Sequence, residues 1–131
     1  MLEQPTVYYD ESDLHAAMFY TYILTNRPKG TLYFGHADDL PAIIAAHKAG
    51  KVDDLNPKHM ACKMLVWFEA HPDLGSAFNR QTDMLTWNRS QVIKRIKLLN
   101  PKWADLSDTL TPDILADPAR KFPSDNALPS V

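Results

Sequence analysis

The residues that first suggest chemistry are two tyrosines, Tyr22 and Tyr33, in two short segments that follow each other closely along the chain. A phenol hydroxyl can transfer a proton in catalysis when it is positioned beside a reacting group. The same rings could also do no more than pack within a sheet. The choice between these two interpretations depends on the elements that carry the tyrosines.

A predicted β-hairpin places the two tyrosines close together. The segments 18–25 and 31–36 are rich in aromatic and β-branched residues and are predicted as strands, and 26–30 between them is rich in turn formers. Alternation of side chains along a strand puts each tyrosine on one defined face of its strand. We therefore expect Tyr22 and Tyr33 on neighbouring rungs, within one residue of register.

The rest of the chain carries helix and strand signals in a simple order. Asp38 or Asp39 is a suitable N-cap for a first helix that ends before Gly50. A polar loop, a third and central strand, and two further helices are predicted at 51–61, 63–70, 72–86 and 88–99. The predicted fold is α/β in the α+β sense: a small three-stranded, mainly antiparallel sheet flanked by helices in the order β-β-α-β-α-α.

The hairpin and this order of elements resemble the GIY-YIG endonuclease family, which takes its name from the two tyrosine-bearing strands. The similarity is to the small stand-alone bacterial type, related to the N-terminal nuclease domain of the excision-repair endonuclease subunit. Such members often carry a Tyr-x-Tyr-Ile-Leu version of the first triplet, which here runs from Tyr20 to Leu24. The resemblance covers about residues 19–106 and implies a nuclease (hydrolase) fold of the kind used in DNA repair.

The resemblance also implies a metal-dependent phosphodiesterase site, of which this chain keeps three positions and changes two. In the family, two tyrosines and a histidine activate and orient water. An arginine neutralises the charge that develops at phosphorus, and a glutamate binds one divalent cation. Carried over residue by residue, the kept positions are Tyr22, Tyr33 and His47, the arginine position is Ile43, and the glutamate position is Gln81.

Helix spacing agrees with these assignments. Ile43 and His47 are four residues apart and share one face of the first predicted helix. In the second predicted helix, Gln81 is the one polar member of a stripe that we expect to face the core. The other members of that stripe are Leu74, Ala77, Phe78 and Leu85. A glutamine at such a place is either a remnant of a metal site or an ordinary amide bonded to the backbone.

The two changed positions remove the charges on which the family's chemistry depends. An arginine placed against a transferring phosphoryl group contributes roughly 10³- to 10⁵-fold in rate, and Ile43 carries no donor. The neutral carbonyl of Gln81 is a weak ligand for Mg²⁺, which prefers carboxylates. The expectation is an inactive or strongly attenuated nuclease without a cofactor or assigned metal ligands. Should it be active, Mg²⁺ or Mn²⁺ is the expected cofactor, with Glu69, Asp38 and Asp39 still open as ligands.

The basic charge of the chain is concentrated in one block. The formal net charge is −2, but residues 80–102 hold six basic side chains against Asp83 alone, and 1–17 hold four acids and no base. Such an asymmetry predicts weak contact with nucleic acid, DNA in particular. The alternative is a solvated helix face. The predicted contact residues are Arg80, Arg89, Lys94, Arg95 and Lys97.

The domain organisation follows from these patterns. Residues 1–17 form an acidic extension, 18–106 the GIY-YIG-like domain, and 107–131 a Pro-containing, loosely ordered tail. The single cysteine and the absence of any run of ~18 apolar residues predict a soluble, cytoplasmic protein with no membrane contact.

The function that we expect from the sequence is DNA binding by a nuclease-type domain with a degenerate active site. Two alternatives stay open. One is an active but atypical metal-dependent DNA endonuclease. The other is a protein-interaction domain with an inert cleft, in which the extension and the tail contact a partner; a homodimer is also open.

Overall fold

An antiparallel three-stranded sheet organises the structure, a computed structural model that describes residues 18–53 and 55–117. Its strands are β1 (Phe19–Thr25), β2 (Leu32–Ala37) and β3 (Met64–His71), in the order β2-β1-β3. The predicted hairpin is confirmed. The prediction that the third strand is central is wrong, because β1 lies in the middle. The apolar character of β3 has another cause: this edge strand is buried along nearly its whole length.

Five helices accompany the sheet within the described residues, and the fold is mixed α+β. They are α1 (Leu40–Lys48), α2 (Pro57–Met60), α3 (Leu74–Thr86), α4 (Arg89–Leu99) and α5 (Pro112–Leu115), with a 3₁₀ turn at Leu106–Thr109. The three predicted helices are α1, α3 and α4, and their N-caps are Asp39, Asp73 and Asn88. Helix α2 lies in the segment predicted as a loop. Its start signal is Asn56, which caps the helix ahead of a proline in the first turn.

The register of the hairpin differs from the prediction. Tyr22 lies opposite Gly35, and Tyr33 lies opposite Leu24, so the two tyrosines are diagonal neighbours, two residues apart in register. The last pair of the hairpin is Thr25 with Leu32, so the loop comprises residues 26–31 and is one residue longer than the predicted 26–30. Gly35 leaves room for the phenol, since a Cβ at this position would lie 2.5 Å from the Tyr22 hydroxyl oxygen. A glycine is therefore required where the Tyr22 ring crosses β2.

The two faces of the sheet carry two separate cores. One, which we call the tyrosine face, packs against α1; its buried members are Tyr20, Tyr22, Leu24, Leu40, Ile44, Cys62, Leu65, Phe68 and Ala70. The other, the tryptophan face, packs against α3 and α4; its buried members are Ile23, Val66, Trp67, Met84, Val92, Ile96 and Trp103. Strand alternation assigns neighbouring residues of β2 to opposite faces.

Helix α3 is rotated relative to the predicted stripe. Its buried residues are Ala77 and Met84, whereas Leu74, Phe78 and Leu85 are 49%, 53% and 62% exposed. Apolar spacing was misleading here because two polar side chains, Arg80 and Gln81, have partners toward the sheet. Helix α4 shows the same effect: Arg95 is buried and Leu99 is 43% exposed.

The free edge of β3 is covered by the segment that follows α4. The Leu65 N–H donates to Asp105 Oδ1 at 3.1 Å, and Asn100 Nδ2 donates to the Val66 carbonyl at 3.0 Å. Side-chain groups thus satisfy backbone atoms that an exposed edge would leave unpaired.

The C-terminal part of the described chain packs against the tyrosine face through Leu106, Leu110 and Leu115. Residues 107–117 therefore belong to the packed domain and are not the loosely ordered tail that was expected. The acidic extension 1–17 and the remaining tail, 118–131, lie outside the described residues. None of the helices in the described ranges has the length and apolar character needed to cross a membrane.

Candidate functional site

Tyr22, Tyr33 and His47 come together on the tyrosine face, and we call them the tyrosine–histidine cluster. The Tyr22 hydroxyl lies 3.0 Å from His47 Nε2, within hydrogen-bonding distance. The Tyr33 ring centroid is 6.2 Å from that of Tyr22 and 5.2 Å from that of His47. Tyr22 and His47 are buried and Tyr33 is half-buried, so the last of these is the member nearest to solvent.

Burial sets the protonation states of the pair. It raises the pKa of Tyr22, with a further contribution from the neighbouring Tyr33 phenol, and it lowers the pKa of His47. Both shifts disfavour the charged form, as expected for groups removed from water. At neutral pH the pair is therefore a neutral phenol hydrogen-bonded to a neutral imidazole. The imidazole could accept a proton, and this is the one arrangement in the cluster that suits base catalysis.

The lowered pKa of His47 predicts a pH-dependent stability. The unfolded state binds the proton more readily, so the stabilisation is complete above the unfolded pKa, ~6.5. It is lost as the pH falls from there toward the folded-state pKa. We expect the free energy of unfolding to fall between pH 7 and pH 5, and the fall to be smaller in His47→Gln, which cannot titrate. Urea denaturation of both proteins at several pH values measures this difference; equal slopes would contradict it.

Ile43 lies where the predicted helix geometry put it, one turn before His47 on α1. Its side chain is half-buried and packs against the tyrosine face. An alkyl group at this place offers neither charge nor a hydrogen bond to a ligand that approaches the cluster.

Gln81 does not join the cluster. Its Nε2 donates to the Phe34 carbonyl at 3.2 Å, and its Oε1 accepts from His36 Nδ1. Phe34 and His36 alternate with Tyr33 along β2 and so point to the opposite face of the sheet. Both ends of the amide already have partners on the tryptophan-face side. Gln81 is therefore a structural amide that ties α3 to β2, and a neutral oxygen already in use does not fit a divalent cation.

Two of the three carboxylates that were left open as metal ligands, Glu69 and Asp39, have other partners, and Asp38 is exposed. Glu69 is completely buried on the tryptophan face, 2.8 Å from Arg80 Nε and 2.8 Å from His71 Nε2. Asp39 caps α1 by accepting from the Ala42 N–H. No three His, Cys, Asp or Glu side chains within 18–53 and 55–117 are grouped so that they could hold a metal ion.

Two of the five predicted nucleic-acid contacts are internal. Arg80 donates to buried Glu69, and Arg95 is 1% exposed, with its guanidinium 4.1 Å from the centre of the Trp87 ring. Their charges are therefore directed into the domain. Of the other three, Arg89 and Lys97 are exposed and Lys94 is half-buried.

A cavity of about 360 Å³ lies on the tryptophan-face side of β2, and we call it the basic pocket. Its lining residues are Thr31, Leu32, Phe34, Lys58, His59, Trp87, Arg89 and Val92. The His59 ring is 5.3 Å from that of Tyr33 and so connects pocket and cluster. Lys58 and His59 were missed as functional residues. The signal that could have found them is the N-cap and proline that begin α2.

Arg89 is held in place by the hairpin turn. Its Nη2 donates to the carbonyls of Lys29 and Gly30 at 2.5 and 2.6 Å. A guanidinium has five N–H groups, so Nε and Nη1 can still donate to a ligand. The turn thus orients one of the cations that line the pocket.

Comparisons with protein-family models, with curated proteins and with solved structures gave no match.

Proposed function

We propose that this chain is a nucleic-acid-binding module built on a GIY-YIG nuclease fold that has lost efficient phosphodiester hydrolysis. One observation carries the proposal: a pocket on the tryptophan-face side of β2, which His59 links to Tyr33 of the tyrosine–histidine cluster, is lined by two cations, Lys58 and Arg89, and by no carboxylate. A site of that charge suits phosphate groups, whereas the two positions that would drive cleavage hold Ile43 and Gln81.

The fold assignment within this proposal is supported by the arrangement of the retained residues. A central strand carries Tyr22, its hairpin partner carries Tyr33, and the helix after the hairpin carries His47. The resemblance placed these three residues around one site, and their rings lie within 5.2–6.2 Å of one another.

The nucleic-acid assignment is supported by the charge on α4. At 100° per residue, Arg89, Lys97 and Lys94 fall within an arc of about 140° on the helix. The sequence of α4, RSQVIKRIKLL, contains no acidic residue. The arc therefore carries three cations and no acidic residue between the basic pocket and the C-terminal end of α4. Phosphate contacts of this kind give affinity without sequence preference.

Binding to single-stranded DNA tests the proposal. We expect weak, sequence-indifferent binding. A plot of the logarithm of the binding constant against the logarithm of the salt concentration should fall with a slope of about 2, since Arg89, Lys94 and Lys97 each contribute roughly 0.7. Replacing Lys94 and Lys97 together by Gln should lower that slope by about 1.4, and replacing both by Glu should remove binding. Fluorescence anisotropy of a labelled oligonucleotide over a salt series measures both quantities.

The matched control is the replacement of Lys51 and Lys63 by Gln. Both lysines are exposed and lie outside α4 and the pocket lining, so this variant should bind as the wild type does. Equal binding by the Lys94→Glu/Lys97→Glu protein, or no retention of DNA by the wild type at low salt, would overturn the proposal. The exposed apolar side chains of α3 would then favour the protein-interaction alternative.

A further inference from the structure

We infer that the basic pocket binds a nucleoside monophosphate unit, as a free nucleotide or as the 5′-phosphorylated end of a strand. The choice of a nucleotide rests on the proposed function, but the pocket is a separate site from the lysines of α4. The inference depends on three features of the lining: its charge, its aromatic wall and its volume.

The charge of the lining fits a phosphate monoester. Lys58 and Arg89 bring two positive charges, and none of the eight lining residues is acidic. A monoester carries between one and two negative charges near neutral pH, whereas an internal diester carries one. Arg89 is fixed by the carbonyls of Lys29 and Gly30, and its free Nε and Nη1 can form the paired N–H donors that phosphate oxygens accept. Lys58 is exposed, which leaves its ammonium free to follow the phosphate.

The other lining residues of the pocket include aromatic and apolar side chains. Trp87, Phe34, Leu32 and Val92 line it. The buried Arg95 guanidinium, 4.1 Å from the indole centre, holds Trp87 in position. Any nucleobase can stack on such a ring because every base has a π-face. The lining therefore offers both cations and a stacking surface, as a phosphate joined to a base requires.

The size of the cavity agrees with one nucleotide unit. Its volume of about 360 Å³ falls in the lower part of the range for small-molecule sites, roughly 300–1,000 Å³. A single nucleotide fills such a space, but a stretch of strand does not. His59 and Thr31 add polar groups to the lining.

Titration of the full chain with adenosine 5′-monophosphate, adenosine and inorganic phosphate tests the inference. We expect the monophosphate to bind at least roughly tenfold more tightly than either of the other two, because only it engages both the cations and the aromatic surface of the pocket. NMR shifts should be largest at the lining residues. Lys58→Gln should weaken monophosphate binding roughly tenfold, as expected for the loss of one charged hydrogen bond; Lys51→Gln should leave it unchanged.

Two further probes identify the source of the nucleotide. An oligonucleotide with a 5′-phosphate that binds more tightly than its 5′-hydroxyl counterpart, and is displaced by the monophosphate, identifies a strand end. Equal binding of the two oligonucleotides identifies a free nucleotide. The inference is overturned if the monophosphate binds no better than phosphate or adenosine, or if Lys58→Gln has no effect. If the inference fails in this way, DNA binding that depends on Lys94 and Lys97 would still support the proposed function. Conversely, monophosphate binding by a protein that does not bind DNA would overturn the proposed function and leave the inference standing.

Discussion

Purified protein supplied with Mg²⁺ or Mn²⁺ is expected to show no cleavage of single-stranded, duplex or branched DNA above background. On the proposed GIY-YIG assignment, the reason is that two charged side chains of the family's site are replaced here. Position 43 is an isoleucine where an arginine would be worth roughly 10³- to 10⁵-fold in rate, and Gln81 offers a neutral oxygen that already accepts from His36. Gel assays of nicking with each metal, over long incubations, measure the residual rate.

The position of residue 81 in the structure also limits how much cleavage activity can be restored by substitution. Ile43→Arg with Gln81→Glu restores both charges, but residue 81 bonds to Phe34 and His36 on the side of β2 opposite Tyr33. We therefore expect at most a trace of metal-dependent cleavage from the double variant. Robust nicking by the wild-type protein that disappears in Tyr33→Phe would contradict the prediction. It would instead support the alternative of an active, atypical endonuclease.

Features with a local cause were predictable from the sequence. The N-caps Asp39, Asp73 and Asn88 each accept an N–H from the first turn of their helix, and such bonds depend on neighbouring residues alone. The gathering of Tyr22, Tyr33 and His47 followed from strand alternation and a resemblance.

Features that depend on tertiary partners were not predictable in the same way. The hairpin register was wrong by one residue because it depends on where the loop ends, at Thr31. The orientation of α3 was wrong because apolar spacing takes no account of polar side chains with buried partners. Arg80 and Arg95 point inward for that reason, the first toward Glu69 and the second onto Trp87. The basic block of the sequence is thereby divided into internal and external charges.

Neutralising Arg80 is expected to destabilise the domain strongly, by about 3 kcal/mol in Arg80→Gln. Glu69 is completely buried, and Arg80 donates to it at 2.8 Å. Without the guanidinium, the buried carboxylate loses its permanently charged partner, although His71 still lies 2.8 Å away. Urea denaturation monitored by tryptophan fluorescence measures the change in the free energy of unfolding.

Two comparisons separate this structural role from a phosphate contact. Arg27→Gln removes an exposed arginine and should change stability by no more than about 0.5 kcal/mol. Glu69→Leu with Arg80→Met removes both charges and should be less destabilising than Arg80→Met alone, because no buried carboxylate is left without its arginine. Where Arg80→Gln is still folded, its affinity for DNA should equal that of the wild type. A stable Arg80→Gln protein with weakened DNA binding would show instead that the arginine serves the ligand, since its side chain is 28% exposed and could turn outward.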